Sequence, residues 1–238
     1  MPTNDFGQQI GPALPNWTVR PHPPRTSIPG RFCRVEPLAP AHAEDLFARL
    51  ASRRDGRWTY LPYGPFDTRD SFQQWVVDQS QKEDPLFHAI VDPAGTAVGV
   101  AAYMRIDRAN GVIEIGHLNF SPQLQRTPAA TEAMYLMLRR AFDELGYRRY
   151  EWKCDSFNEP SRRAAARFGF TYEGLFRQAV VYRQRNRDTT WFSIIDTEWP
   201  ARRGAFEAWL APANFDAAGT QRRPLSAFMP PSNFRYDL

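Results

Sequence analysis

A strand, a short polar loop and the start of a helix are predicted to follow one another over residues 114–133, an arrangement that can bind an anion. The segment reads EIGHLNFSPQLQRTPAATEA. The first N–H groups of a helix have no intrahelical acceptor, and together with the helix dipole they favour a phosphate at that end. Many strand–loop–helix units bind nothing, so this segment indicates a site only together with a second signal.

A second polar segment, residues 155–170, reads DSFNEPSRRAAARFGF. Its residue types allow Asn158 to be the N-cap of a helix that carries Ser161 in its first turn. Metal-ligand spacing is absent, because the histidines are dispersed and neither cysteine has a close partner cysteine. These residues are His22, His42, His88, His117, Cys33 and Cys154. We therefore predict no metal site.

The elements that position these segments follow from the hydrophobic period, which switches repeatedly between 2 and 3.6 and is typical of an α/β or α+β domain. Strands are predicted at 32–38, 86–91, 97–106, 112–120, 150–154, 171–182 and 189–198, and helices at 41–52, 67–81, 128–145 and 160–167. The resulting order is βααβββαβαββ. The strands between residues 86 and 120 should form an antiparallel meander, because their connections contain proline, glycine and asparagine.

Composition excludes several classes of protein. The 238 residues include 30 Lys and Arg against 26 Asp and Glu, a formal charge of +4, and 42% are hydrophobic. No apolar run is long enough to span a membrane, and the first residues do not resemble a secretory signal. The basic residues are scattered, which is more typical of a mixed surface than of a nucleic-acid site. We expect a cytoplasmic protein with two free thiols, no membrane partner and no nucleic-acid partner.

Proline density divides the chain. Seven of the first 30 residues are proline, which disfavours helix and central strand. We predict a Pro-rich N-terminal arm over 1–30, one domain over 31–210 and a C-terminal tail over 211–238. Aromatic residues in both arms suggest that the arms dock on the domain; they are Trp17, Phe215, Phe228 and Phe234.

The two polar segments together resemble the GNAT superfamily of acetyl-CoA-dependent N-acetyltransferases, and within it the ribosomal-protein N-acetyltransferases of the RimJ/RimL type. The run EIG…SP…ATEA is similar to that branch's fourth strand, coenzyme loop and third helix, and N-x-x-S…FGF to its fifth strand and fourth helix. The resemblance covers about residues 31–200. It implies an α/β (α+β) fold with a mixed, mostly antiparallel central sheet flanked by helices, and a V-shaped gap between strands 4 and 5 of the predicted order, 112–120 and 150–154.

The resemblance also implies a coenzyme site for acetyl-CoA. Asn119 and Phe120 would face the pantetheine, and the loop of Gln125, Arg126, Thr127, Pro128, Ala129 and Ala130 would wrap the pyrophosphate. Asn158 would bond a coenzyme amide or serve only as an N-cap. The family loop pattern Q/R-x-x-G-x-G/A is altered here, because Pro128 replaces the first glycine and has no N–H. Arg126 or the Thr127 hydroxyl would then compensate by contacting phosphate.

Catalysis in the family is direct attack of an amine on the thioester, which requires a base and an acid. Glu114 would be the base, directly or through water; the alternative is an outward carboxylate paired with an arginine. Ser161 would donate to the leaving thiolate, or would only bond its own helix backbone. His117 has a suitable ordinary pKa, yet an ideal strand directs it to the face opposite Glu114, so we expect it to line the core or substrate. The tyrosine acid of many family members is absent.

The sequence gives less information about the residues that would bind the amine acceptor. The loop 58–66 contains four aromatic residues, which would either form the wall of an acceptor pocket or pack as a cover on the core. Asp67, Asp84 and Glu151 are available to hold a cationic amine. The acceptor would be a protein N-terminus or a small-molecule amine. An acyl-CoA-binding module without turnover is the alternative function, and the protein would be a monomer or a homodimer.

Overall fold

The computed structural model describes residues 1–51 and 56–231. Its strands are β1 Ile28–Pro29, β2 Arg34–Pro37, β3 Leu86–Val91, β4 Ala97–Asp107, β5 Val112–Phe120, β6 Arg149–Asp155, β7 Thr171–Tyr182 and β8 Arg185–Ile195. Its α-helices are α1 Ala43–Leu50, α2 Arg69–Ser80, α3 Pro128–Arg139, α4 Glu159–Arg167 and α5 Trp199–Leu210. A wider helical turn, Arg140–Glu144, continues α3.

One mixed sheet contains all of these strands in the order β1-β2-β3-β4-β5-β6-β8-β7. Every neighbouring pair is antiparallel except β5 and β6, which run parallel. The connection from β5 to β6 passes through α3, as a parallel crossover requires. The α/β fold with a mostly antiparallel sheet flanked by helices is therefore confirmed.

Two apolar cores cover the two faces of the sheet. On one face α3, α4 and α5 pack over β5, β6 and β8, and the buried Tyr103 hydroxyl donates to the backbone carbonyl of Met137 at 2.7 Å. On the other face α1 and α2 pack over β3 and β4, with Phe72 and Trp75 against Phe87. We call the first the coenzyme face, because it carries α3 and α4, the helices of the two polar segments, and the second the acceptor face, because it carries the loop 58–66, which was expected to line an acceptor pocket or cover the core.

The predicted order of strands and helices is present, but it is incomplete at both ends. The short strand β1 and the helix α5 were not predicted. The strand expected over 189–198 is wrong in its bounds, since β8 ends at Ile195 and Trp199 begins a helix with proline in its first turn. The predicted end of the first helix at Ser52, and the tail aromatic Phe234, lie outside the described residues.

The Pro-rich segment lies against the domain. Arg140, 5% exposed, donates to the carbonyls of Thr26 at 2.7 Å and Ser27 at 3.3 Å, and the Tyr147 hydroxyl donates to the carbonyl of Pro21 at 3.1 Å. The Trp17 indole donates to the carbonyl of Ala109 at 2.7 Å. These contacts support the expected docking of the arm, while the division at residues 30 and 210 stays a prediction.

A carboxylate on α3 fixes the start of β2. Glu132, 5% exposed, accepts the backbone N–H groups of Arg31 at 2.8 Å, Phe32 at 2.6 Å and Cys33 at 2.9 Å. A carboxylate can accept several hydrogen bonds at once, and bonds to a charged acceptor are stronger than neutral ones. Glu132 therefore joins the coenzyme-side helix to the first strands of the sheet.

Candidate functional site

The strands β5 and β6 separate in the middle of the sheet. Their registered pairs run from Val112 with Arg149 to Ile115 with Trp152 and end there. Beyond this point β5 continues to Phe120 and β6 to Asp155. The two strand ends therefore diverge and leave backbone edges facing each other across a gap, as the family resemblance implied.

A bulge in β5 changes which residues face the acceptor side. Ala102 of β4 pairs with Gly116, whereas Val100 pairs with Asn119, so three steps along β5 oppose two steps along β4. His117 has φ +53°, a left-handed value that is uncommon for a residue other than glycine. The extra residue shifts the alternation, and the ring of His117 packs against Phe87 on the acceptor face. The expectation that His117 points away from Glu114 is wrong for this reason.

Glu114 lies where the two strands part, with its side chain only 3% exposed. Its Oε2 accepts Nη1 of Arg105 at 2.6 Å and Nζ of Lys153 at 3.0 Å. Lys153 also lies 2.7 Å from Oε2 of Glu151 and 3.7 Å from the centre of the Trp191 ring. The side chain is thus paired with an arginine, but it is buried rather than outward. Its second oxygen, Oε1, has no hydrogen-bond partner within residues 1–51 and 56–231.

His117 is held by aromatic rings. It stacks on Tyr63 with centroids 5.5 Å apart and lies 4.9 Å from Phe87. Burial lowers the pKa of His117 to about 4, with smaller contributions from Arg105 and Lys82. The imidazole is therefore neutral at neutral pH. Its Nδ1 is buried and unpartnered in the described part of the chain, whereas Nε2 reaches the surface.

Asn119 and Phe120 occupy opposite faces, as adjacent strand residues must. Phe120 packs on the coenzyme-face core. Asn119 is 3% exposed, and neither its Oδ1 nor its Nδ2 meets a partner among the residues the structure describes. Unpaired buried amide atoms are rare and costly. Their position at the gap suits a ligand that carries amide groups, such as pantetheine.

The loop before α3 uses most of its polar groups internally. The Gln125 side chain donates to the carbonyl of Phe120 at 2.7 Å, and its backbone N–H donates to the carbonyl of Ser121 at 2.9 Å. The Thr127 hydroxyl donates to the carbonyl of Leu124 at 2.6 Å and accepts the N–H of Ala130 at 3.3 Å, so Thr127 is the N-cap of α3. These contacts build the loop and leave little of Gln125 or Thr127 for a phosphate.

Two groups of this loop remain available. Arg126 is exposed, adopts φ +62°, and its side chain contacts no partner in the described ranges. Ala129 follows Pro128 at the start of α3, and its N–H likewise meets no acceptor there. Of the two compensating groups weighed for Pro128, Arg126 has the freedom to contact an anion.

On the coenzyme face, Ser161 lies in the first turn of α4. Its Oγ accepts the indole N–H of Trp152 at 2.9 Å, and its backbone N–H donates to Oδ1 of Asn158 at 3.2 Å. Asn158 is the N-cap of α4. The Ser161 hydroxyl therefore bonds a side chain of β6 and not its own helix backbone, and it lies across the sheet from Glu114.

One part of the loop 58–66 packs in the core, and another part lines the gap between β5 and β6. Trp58 is 4% exposed and donates to the carbonyl of Leu50, which makes it a core residue. The Tyr60 hydroxyl donates to the carbonyl of Phe157 at 3.0 Å, beside the end of β6. Arg183, at the turn between β7 and β8, donates to the carbonyl of Tyr63 at 2.9 Å. The loop, the hairpin and β6 thus enclose one side of the gap.

The three acids suggested for a cationic amine have other contacts. Asp84 accepts the backbone N–H groups of Arg105 and Ile106, and Glu151 is paired with Arg149 and Lys153. Asp67 precedes the N-cap of α2. Sequence reasoning missed Arg105 and Lys153 as parts of this site. One signal could have identified Lys153, because it is one of only two lysines in the chain and lies in the strand predicted to border the gap.

Within residues 1–51 and 56–231, no group of three or more His, Cys, Asp or Glu side chains is arranged to hold a metal ion. No helix there has the length and hydropathy needed to cross a membrane.

Known proteins share this architecture. A family model described as an acetyltransferase (GNAT) domain matches residues 33–171. A GCN5-related N-acetyltransferase from Brucella melitensis has a crystal structure that is 52% identical, with a TM-score of 0.87, over 90% of this chain and 99% of its own. The Bacillus subtilis protein YdaF, which bears the name of a ribosomal N-acetyltransferase, is 23% identical over 68% of this chain and 90% of its own. The fold of microcin C7 self-immunity acetyltransferase MccE, solved with acetyl-CoA and AMP, matches with a TM-score of 0.61 at 21% identity, over 70% of this chain and 93% of its own.

Proposed function

Because the chain belongs to the GNAT family of acetyltransferases and is an acetyl-CoA-dependent N-acetyltransferase, we propose that it acetylates a primary amine by direct attack of that amine on the thioester. The acceptor is a protein N-terminus or a small-molecule amine. The observation that carries the proposal is the point where β5 and β6 part: a buried carboxylate with one free oxygen, Glu114 Oε1, lies there on the acceptor face. Acetyl-CoA lies in the gap between the two strands, with Glu114 on this face and Ser161 on the other.

The residues of the chain supply the proton transfers. A bond forms between the amine nitrogen and the acetyl carbon, and the carbon–sulfur bond breaks. Glu114 Oε1 takes the proton that the amine loses, directly or through one water, while Arg105 and Lys153 hold Oε2 in place. Ser161 supplies a proton to the leaving thiolate and is replenished from solvent. Its Oγ already accepts from Trp152, so its hydrogen is directed elsewhere.

Binding of the coenzyme is assigned to groups that have no other partner in the described residues. Arg126 and the N–H of Ala129 are suited to its phosphates, and the unpaired amide of Asn119 to its pantetheine. Asn158 keeps the N-terminus of α4 in place beside Ser161. When bound, the coenzyme supplies the activated acetyl group.

The test combines a binding measurement with a rate. Wild type and Glu114→Gln are assayed for thiol release with a panel of primary amines, and for the rise in melting temperature with acetyl-CoA. We expect Glu114→Gln to lose about 100-fold or more of kcat/KM, the usual contribution of a general base, with the thermal shift unchanged. Glu44→Gln, at an exposed carboxylate on α1, is the matched control and should keep full activity.

Two results would contradict the proposal. Activity of Glu114→Gln within three-fold of wild type would remove Glu114 as the base. A wild-type protein that binds acetyl-CoA but acetylates no amine of the panel would instead favour a non-catalytic acyl-CoA-binding module.

We also propose a cytoplasmic location. Cys33 and Cys154 are both buried and both free thiols, which is consistent with a reducing compartment. A monomer or homodimer remains the expected assembly.

A further inference from the structure

Two strained residues flank the acceptor side of the site. Arg105 in β4 has φ +47° and His117 in β5 has φ +53°, and neither is glycine. Each lies where the pairing of β4 and β5 shifts register. Left-handed conformations of ordinary residues persist only where the surrounding structure enforces them, and they concentrate at functional sites. Asp84 enforces one of them, because its two oxygens accept the N–H groups of Arg105 and Ile106 at 2.9 and 3.0 Å.

The positive charges of Arg105 and Lys82, on the acceptor side of the site, are only partly neutralised by acidic side chains. Arg105 uses Nη1 for Glu114, while its Nε and Nη2 bond nothing in the described chain and its side chain is 55% exposed. Lys82 is exposed and forms no ion pair within the same ranges. The site's other lysine, Lys153, differs in that it lies between Glu114 and Glu151. Asp84 is the nearby opposing charge, and its oxygens are directed at backbone N–H groups.

His117 completes this group of side chains. It lies on the same face of β5 as Glu114, the ion-pair partner of Arg105, and Lys82 is two residues from Asp84, whose carboxylate binds the backbone of Arg105. The stack on Tyr63 and Phe87 fixes the ring, and its Nε2 reaches the surface with no partner in the described residues. Two cations and a neutral imidazole that can donate a hydrogen bond form a set that favours an anion.

We propose that Arg105, Lys82 and His117 bind a carboxylate of the acceptor, which is therefore a zwitterionic, amino-acid-like amine rather than a protein N-terminus. This inference rests on the proposed function and narrows its acceptor. Arg105 lies between the positions proposed for the amine and the carboxylate of such a molecule. Its Nη1 contacts Glu114, which accepts the amine's proton, and its exposed Nε and Nη2 are available for the carboxylate. A protein N-terminus has a positive charge with no carboxylate close by and would leave this cationic group unused.

The experiment compares matched ligands that differ in the carboxylate alone. The protein saturated with CoA is titrated calorimetrically with alanine and ethylamine, phenylalanine and phenethylamine, and lysine and 1,5-diaminopentane. A peptide with a free N-terminus and an amidated C-terminus is the protein-like probe. For the side chain that binds best, we expect the amino acid to bind at least ten-fold more tightly than its decarboxylated partner and than the peptide.

Variants assign that preference to the named residues. Lys82→Gln should reduce at least three-fold the ratio of the amino acid's affinity to that of its decarboxylated partner. His117→Phe keeps the aromatic stack but removes Nε2, and it should reduce the same ratio to the same extent without changing the acetyl-CoA thermal shift. Arg34→Gln, which removes an exposed positive charge at the far end of β3 from this site, should leave the ratio unchanged.

The inference is overturned if the decarboxylated partners bind as tightly in all three pairs, if no member of any pair binds, or if the peptide binds tightest. Acetyl transfer to the same compounds is measured in parallel, so that the two proposals are tested separately. Transfer to amines without a carboxylate preference would leave the proposed function intact and reject this acceptor class. Amino-acid binding without any transfer would reject the proposed function.

Discussion

The ammonium group of Lys153 lies 3.0 Å from Oε2 of Glu114, beside the last registered pair of β5 and β6, Ile115 with Trp152. Both side chains are more than nine-tenths buried. Removing Lys153 leaves two buried acids less well compensated, although Glu114 keeps Arg105 and Glu151 keeps Arg149 as a partner. We therefore expect Lys153→Met to lower the free energy of unfolding by about 1–3 kcal/mol, measured by urea denaturation.

The exposed pair of Arg69 with Glu44, at 60% and 61% exposure, is the control for this effect. Arg69→Ala should change the free energy of unfolding by less than about 1 kcal/mol, because exposed pairs are weak. Equal losses in the two variants would show that burial does not determine the contribution of Lys153.

Pro128 can be tested by restoring the missing donor. Pro128→Ala adds one N–H at the start of α3, and we expect acetyl-CoA to bind a few-fold more tightly, as measured by calorimetry. Arg126→Ala should weaken the same binding about ten-fold, which corresponds to about 1.4 kcal/mol. Arg185→Ala, at an exposed arginine of β8, should have no effect. Unchanged affinity in Pro128→Ala would mean that the loop N–H groups do not contact the coenzyme.

Stability should fall in acid because of His88. This residue of β3 is completely buried, and burial lowers its pKa to about 4, with Arg140 as a smaller cause. In the unfolded chain a histidine has a pKa of about 6.5, so as the pH falls below that value the unfolded state takes up the proton first. The free energy of unfolding should decrease between about pH 6.5 and pH 4 by on the order of 3 kcal/mol from this residue.

The measurement is urea unfolding at several pH values for wild type and His88→Leu. In the variant, the free energy of unfolding should depend less on pH, because the contribution of His88 is lost. The contribution of His117, whose pKa is lowered in the same way, should remain. Identical slopes in the two proteins would contradict the assignment.

Glu132 should be essential for the junction of α3 with the first strands. Glu132→Ala leaves three N–H groups without their acceptor, that of Cys33 buried and those of Arg31 and Phe32 partly buried, and a buried unpaired donor costs about 1–3 kcal/mol. We expect a loss of at least about 2 kcal/mol in the free energy of unfolding. Glu144→Ala is the control, because that carboxylate is 45% exposed and is paired with Arg140; a comparable loss there would show that the three N–H bonds are not responsible.

Much of the fold was predictable because it depends on local periodicity. The alternating runs of β3, β4 and β5, separated by proline and glycine turns, predict the meander, and the polar segments predict the starts of α3 and α4. Helix α5 was missed because Pro200 and Gly204 interrupt its pattern. Strand β1 is only two residues long and depends on pairing with β2.

The site was less predictable because its contacts depend on strand register. Glu114 and Ser161 were identified through a family resemblance, whereas Arg105 and Lys153 reach Glu114 only because β4, β5 and β6 are neighbours in one register. Period-2 alternation placed His117 on the wrong face, since a bulge of one residue inverts every later position in the strand.

The docked N-terminal segment has a consequence for biosynthesis. Its anchors are distant in sequence: 114 residues separate Thr26 from Arg140, and 126 separate Pro21 from Tyr147. These residues leave the ribosome before their binding surface exists, because the long helix and the turn after it are translated later. Until Tyr147 has been added, the growing chain presents the carbonyl groups of this segment to water.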